Sequence, residues 1–257
     1  MLQEEGIKLT EIKSTTKQNI STYNNKKIKD YENNYGIFNE ENQKRIENLI
    51  MECSKTIPRE ISLDVGMGSG NVFNISRKCF NRCYGLDMSL SLAIEKKIDK
   101  NSLIKADGSN LPIKSNSIDL ISAYSFLHHL DDQMDFFKES HRCLKQNGIL
   151  YTDGDKNIFF MKIYVRIKLI KAKLLNKTRE ITYFQNYFED HGTGERHFGG
   201  LNHKKIFEEL RSAGFRDVSI IFRLSNNPRY TGTYIYKLLQ MMNITYLSSH
   251  FYIVARK

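Results

Sequence analysis

The chain predicts an α/β fold: an open sheet of mainly parallel strands with helices on both faces. Three observations predict it. Short apolar runs end repeatedly in a carboxylate, at Asp64, Asp87 and Asp107. The first run is followed by alternating glycines, Gly66, Gly68 and Gly70. Helix-compatible segments separate the runs, the alternation expected of βαβ units.

The elements follow in order. Residues 1–55 are polar and predict two or three helices, with Ile46, Ile50 and Met51 on an apolar edge. Ile61 to Gly70 reads as a strand, a tight turn and a helix start at Asn71. Glycine suits that turn because the backbone bends sharply where a ligand's approach would clash with a Cβ. Taken alone, such a turn fits a nucleotide site or an ordinary turn equally well. A second strand spans Cys83 to Asp87, and a third spans Leu103 to Ala106 before Asp107 and Gly108. The fourth, Ile118 to Tyr124, leads into Ser125-Phe126-Leu127-His128-His129-Leu130-Asp131-Asp132. After a helix, Leu144 to Tyr151 turns into a fifth strand.

In open α/β sheets a carboxylate ending the second strand can accept hydrogen bonds from both ribose hydroxyls of a nucleoside. Asp87 has that position, and Asp107 can accept from an adenine amino group. A dinucleotide fingerprint would place two residues between the second and third glycines. That register puts its third glycine at Asn71, so the dinucleotide reading fails.

The ordered set Asp64-x-Gly66-x-Gly68-x-Gly70, Asp87, Asp107, the Ser117-to-Ile121 strand and the Leu144-to-Leu150 turn resembles the class I S-adenosylmethionine-dependent methyltransferases. The resemblance is to their small-molecule, ubiquinone-biosynthesis-like branch. It covers residues 60–156 well and 201–257 more loosely. It implies a Rossmann-like sheet closed by an antiparallel C-terminal edge hairpin, here Asp217–Leu224 with His250–Arg256. It also implies S-adenosylmethionine as cofactor, held by Asp64, Gly66, Gly68, Gly70, Asp87, Met88, Asp107, Gly108 and Tyr124. The segment between the two hairpin strands is longer than the simplest pattern, and Tyr234 to Leu247 has the composition of a helix.

Within this family the loop after the fourth strand separates subclasses. Enzymes acting on adenine or glutamine amino groups carry an Asn/Asp-Pro-Pro-aromatic turn, where this chain has Ser125-Phe126-Leu127-His128. A small-molecule acceptor is the reading that remains, with O- or N-methylation expected. Methyl transfer asks chiefly for alignment of donor and acceptor. A hydroxyl acceptor also needs a general base, a role suited to histidine. His129-Leu130-Asp131-Asp132 is similar to the stretch that supplies the catalytic histidine of phosphoethanolamine methyltransferases. That similarity favours His129 over His128 and implies an N-terminal tyrosine partner, Tyr35 or Tyr31. Alternatively, one histidine caps the following helix.

Composition bounds the rest. The 257 residues suffice for a single domain, read as an N-terminal helical segment (1–55), a cofactor-binding half (58–156), an insertion (157–200) and the C-terminal part of the sheet (201–257). Cys53, Cys79, Cys83 and Cys143 show neither zinc-site nor disulfide spacing and are expected as free thiols, with no metal site. The polar first 30 residues and the lack of a membrane-spanning apolar run predict a cytoplasmic protein. The net charge of +10 accompanies a general richness in Lys, Asn and Ile. Nothing resembling a nucleic-acid appendage goes with it, so nucleic acid is not the expected partner. An RNA methyltransferase using the basic surface, or a non-catalytic cofactor-binding member, is the alternative.

In the insertion, Phe160, Ile163, Ile167, Ile170 and Leu174 recur at three- and four-residue steps as one apolar stripe. Lys162, Arg166, Lys168, Lys171, Lys173 and Lys177 occupy much of the remaining surface. The stripe predicts a helix that packs as a lid over the substrate, one that lies on an anionic membrane through 158–177, or one that lines a groove for nucleic acid or an anionic substrate. The glycine-rich run Glu189 to Gly200 follows as a loop that, on closing, would bring His191, Glu195, Arg196 and His197 to a substrate; alternatively Glu195 and Arg196 are simply solvated. Asn202 is placed to cap a helix over Lys204 to Ala213, with Gly214 ending it.

Overall fold

The computed structural model describes residues 39–182, 200–223 and 248–257. Tyr31, Tyr35, the Glu189-to-Gly199 run and Tyr234 to Leu247 therefore lie outside the described residues.

The order is α1 (Glu40–Ser54), β1 (Ile61–Val65), α2 (Asn71–Ser76), β2 (Arg82–Asp87), α3 (Ser91–Glu95), β3 (Leu103–Lys105), β4 (Ile118–Tyr124), α4 (Gln133–Cys143), β5 (Leu144–Lys156), α5 (Ile158–Leu174), α6 (His203–Ser212), β6 (Asp217–Arg223) and β7 (His250–Arg256). They build one seven-stranded sheet of order β3-β2-β1-β4-β5-β7-β6. β1 to β5 run parallel, while β7 pairs antiparallel with both β5 and β6. The antiparallel C-terminal edge is thus present, with β6 outermost.

Burial explains the composition of the strands. β4 is buried from Ile118 to Ala123 and reads as a continuous apolar run broken by Asp119 and Ser122. Its successive side chains alternate across the sheet. Leu120 packs with Ile46 and Ile50 of α1 and Phe73 of α2. Ile121 packs with Phe136 and Phe137 of α4 and Leu210 of α6. Two apolar layers on opposite faces fix the sheet in the middle.

Local signals set the helix ends. Asn39 caps α1, accepting from the amides of Glu41 and Asn42. Asn202 caps α6 by accepting from Lys204 N, and Gly214, at φ 106°, ends that segment. Asp132 caps α4 by accepting from Met134 N at 3.1 Å, so neither histidine fills that place.

Two expectations about apolar faces change. Met51 is exposed, unlike Ile46 and Ile50, so the apolar edge of α1 is narrower than its sequence suggests. In α5 the buried residues are Phe160, Met161, Val165 and Ala172, whereas Ile167, Ile170 and Leu174 of the expected stripe face outward. No helix among the described residues is long and apolar enough to cross a membrane. The four cysteines are free thiols, and no metal-binding cluster occurs among the described residues.

Candidate cofactor and acceptor site

The sheet order reverses between β1 and β4, and ligands of open α/β sheets bind beyond the carboxyl ends of the strands at such a point. The chemistry-bearing residues lie at that edge. Gly66, Gly68 and Gly70 all have positive φ, at 67°, 53° and 81°. Their reasons differ. A Cβ on Gly70 would collide with Ile98, so that glycine serves packing at the start of α2. A Cβ on Gly66 would collide with the Phe126 ring, and one on Gly108 would lie 2.6 Å from Phe126 Cζ. Phe126, which the sequence reading passed over, thus stands against the turns after both β1 and β3.

The three acidic strand ends have distinct surroundings. Asp64 is buried beneath the turn, accepting from Phe73 N at 2.9 Å and from the Ser122 hydroxyl at 2.7 Å. Both oxygens are engaged, so Asp64 staples β1 to α2 and β4. Burial pushes its carboxyl up to about 7, against those two hydrogen bonds. Asp87 accepts from Gly68 N at 2.9 Å through one oxygen and from Ser89 N at 3.0 Å through the other. Burial also raises its pKa, opposed by those amides. Asp107 accepts from Ser109 N at 2.8 Å. A carboxylate offers about four lone-pair sites. Asp87 and Asp107 are half-buried and keep acceptor capacity for further donors, as a nucleoside would require. Met88 and Gly108 adjoin them in sequence.

The second part of the site sits where β4 and β5 end. β5 carries a register shift between Thr152 and Asp155, and Gly154 there has φ 86°. Such a bulge re-aims the side chains beside it. Asp153, fully buried, accepts from Arg45 at 2.6 Å, Tyr151 at 2.8 Å and Arg223 at 3.1 Å. Burial alone would raise its pKa, but the Arg223 and Arg45 guanidiniums hold it below the usual carboxylate value. Tyr124 belongs to this group: its hydroxyl accepts from Asn42 at 3.0 Å. His250, paired in register with Arg223, is half-buried, and desolvation and then Arg223 push its pKa down to about 3. It is neutral at physiological pH.

Asp155 serves a different partner. Its Oδ1 lies 2.6 Å from His128 Nδ1 and also accepts from His128 N at 3.3 Å. Burial pushes this carboxyl up to about 7. His128 and His129 occupy a short 3-10 turn, Leu127–His129, rather than an extended segment. Their rings therefore lie side by side, with centroids 4.2 Å apart, instead of on opposite sides of the chain.

Residues 63–152 match the family described as a methyltransferase domain. They form a class I S-adenosylmethionine-dependent methyltransferase domain. The match runs from β1 into β5 and includes the glycine turn, Asp87, Asp107 and both histidines. S-adenosylmethionine is the cofactor of this domain, and Asp87 and Asp107 have the acceptor chemistry its nucleoside needs.

Among known proteins, an arginine hydroxylase of the mitochondrion from Danio rerio is 26% identical over 118 residues, 45% of this chain and 36% of that protein. A malonyl-[acyl-carrier protein] O-methyltransferase from Hamiltonella defensa is 27% identical over 110 residues, 42% of this chain and 43% of the relative. In both, the alignment spans less than half of the relative's length. An S-adenosylmethionine-dependent methyltransferase from Archaeoglobus fulgidus has a similar fold, with TM-score 0.55 at 15% identity, covering 84% of this chain and 94% of that one.

Proposed function

We propose that this chain transfers the methyl group of S-adenosylmethionine to a small-molecule acceptor, by O- or N-methylation, with His128 as the base for a hydroxyl acceptor. The observation that carries the reading is the Asp155–His128 pair on the loop that Phe126 packs against both glycine turns. A base and a cofactor cradle on one sheet edge is the arrangement that methyl transfer to a protonated acceptor requires.

When bound, the cofactor supplies an activated methyl on a sulfonium. The residues of the chain hold and orient around it. Asp87 takes the ribose hydroxyls, Asp107 the adenine amino group, and the glycine turn lets the amino-acid end approach the backbone. His128, held through Nδ1 by Asp155, is the group that takes the proton of a substrate hydroxyl. As the imidazole gains that proton, the opposite charge favours the ionised form of Asp155. Asp155 is then a positioning residue, and His128 the group that moves the proton.

The sequence similarity favours His129, but the carboxylate partner seen here is on His128, which is why the role is proposed for the first histidine. The test is turnover. The purified chain with labelled S-adenosylmethionine and a panel of small hydroxyl and amine acceptors should release S-adenosylhomocysteine for one acceptor class. Cofactor binding without turnover on any acceptor would leave the chain a binding protein and defeat the proposal.

A further inference from the structure

α5 has two apolar faces, and among the described residues only one of them is packed against the body. At 100° per residue, Met161, Val165 and Ala172 share one side of the helix, and all three are buried. Ile163, Ile167, Ile170 and Leu174 fall within about 60° of one another on the opposite side. Ile167 is 38% exposed, Ile170 58% and Leu174 79%. Leu175, just past the helix, is 54% exposed. Isolated exposed aliphatics need no explanation, but a contiguous outward stripe on one helix does.

The charge around that stripe has one sign. Arg166 and Lys173 flank it on one side, and Lys171 flanks it on the other, by the same helical geometry. Ile158 to Leu174 contains no acidic residue. Beyond the helix, Glu180 pairs with Lys177 at 2.9 Å. An apolar strip bordered by cations is the pattern of a helix lying in the plane of an anionic bilayer, with its apolar side in the headgroup boundary.

We propose that the outward face of α5 is a membrane-docking surface for anionic lipid, inserting Ile163, Ile167, Ile170 and Leu174 between the headgroups. A second copy of the chain fits poorly, because a two-fold contact would set the same cations against one another. Nucleic acid would satisfy the cations and leave the aliphatic stripe in water. A bilayer satisfies both. α5 leaves the sheet directly after Lys156, at the edge that carries Asp153 and Asp155. The proposal stands apart from the acceptor assignment, since docking needs neither cofactor nor turnover.

Co-sedimentation of the full chain with vesicles tests it, using phosphatidylcholine alone and phosphatidylcholine mixed with phosphatidylglycerol. The native chain should partition onto the mixed vesicles and not onto phosphatidylcholine alone. Added salt should weaken the binding without removing it. Ile170→Glu with Leu174→Glu should weaken binding on the order of tenfold or more, and Ile170→Gln with Leu174→Gln by less. Both pairs should keep native S-adenosylmethionine affinity, which separates this result from any failure of the cofactor site. Three results would each overturn the proposal. The first is a native chain that stays in the supernatant with mixed vesicles at low salt. The second is unchanged binding in the glutamate pair. The third is a stripe that mediates self-association or RNA binding instead, read by sedimentation velocity and by mobility shift.

Discussion

Asp155 Oδ1 and His128 Nδ1 lie 2.6 Å apart, with the carboxylate buried and the imidazole partly exposed. The strand supplies a fixed partner for one ring nitrogen. If His128 is the base, His128→Ala should lower turnover by about 10²–10⁴-fold with little change in cofactor affinity. Asp155→Asn should cost on the order of 10²-fold and displace the acidic limb of the pH–rate profile. A purely structural role for Asp155 would change stability and leave that limb in place. Should His129→Ala be the damaging change instead, the sequence similarity was the better guide.

Asp153 holds two guanidiniums and a tyrosine hydroxyl together across α1, β5 and β6. Removing one partner of a buried ion pair leaves uncompensated charge behind. Asp153→Ala should therefore destabilise the fold by about 3–5 kcal/mol in chemical denaturation. A loss below about 1 kcal/mol, the size found for surface pairs, would show that Arg45 and Arg223 find water or other partners readily.

Asp64 makes a pH-dependent contribution whose sign is fixed by its raised pKa. The folded state holds the proton up to about 7, whereas the ordinary value is 3.8. The stability this group adds is present below pH 4 and is lost as pH rises through about 7. The native chain should thus lose on the order of 2–4 kcal/mol relative to Asp64→Asn between those limits. Urea denaturation of both proteins at pH 4.5 and 8 measures it. A constant difference between them would mean that Asp64 stays ionised throughout.

The architecture was readable because parallel strands buried on both faces must be short apolar runs, and five of them end at turn or acidic signals. The Asn202 cap and the Gly214 stop were equally legible, since each is a local hydrogen-bond or backbone requirement. The acidic site residues Asp87 and Asp107 stood out as strand ends. Arg45, Arg223 and Phe126 did not, because their roles arise from contacts between segments far apart in the chain. Thr152-Asp153-Gly154-Asp155 did carry a signal, two carboxylates at a strand end around a glycine. What could not be read was the bulge that sends them to different partners. The face of α5 was misjudged for a related reason: an apolar residue every three or four positions predicts a helix, but not which of two apolar faces the body will take.

The most direct test of the central claim is isothermal titration of S-adenosylmethionine into the native chain and into Asp87→Ala. The account predicts one site in the native protein and an affinity lower by about 1.5–3 kcal/mol in the variant, as for other charge-assisted hydrogen bonds. No binding to a folded native chain would contradict the assignment of this domain's cofactor site. Equal affinity in the two proteins would contradict the role of Asp87 at the ribose.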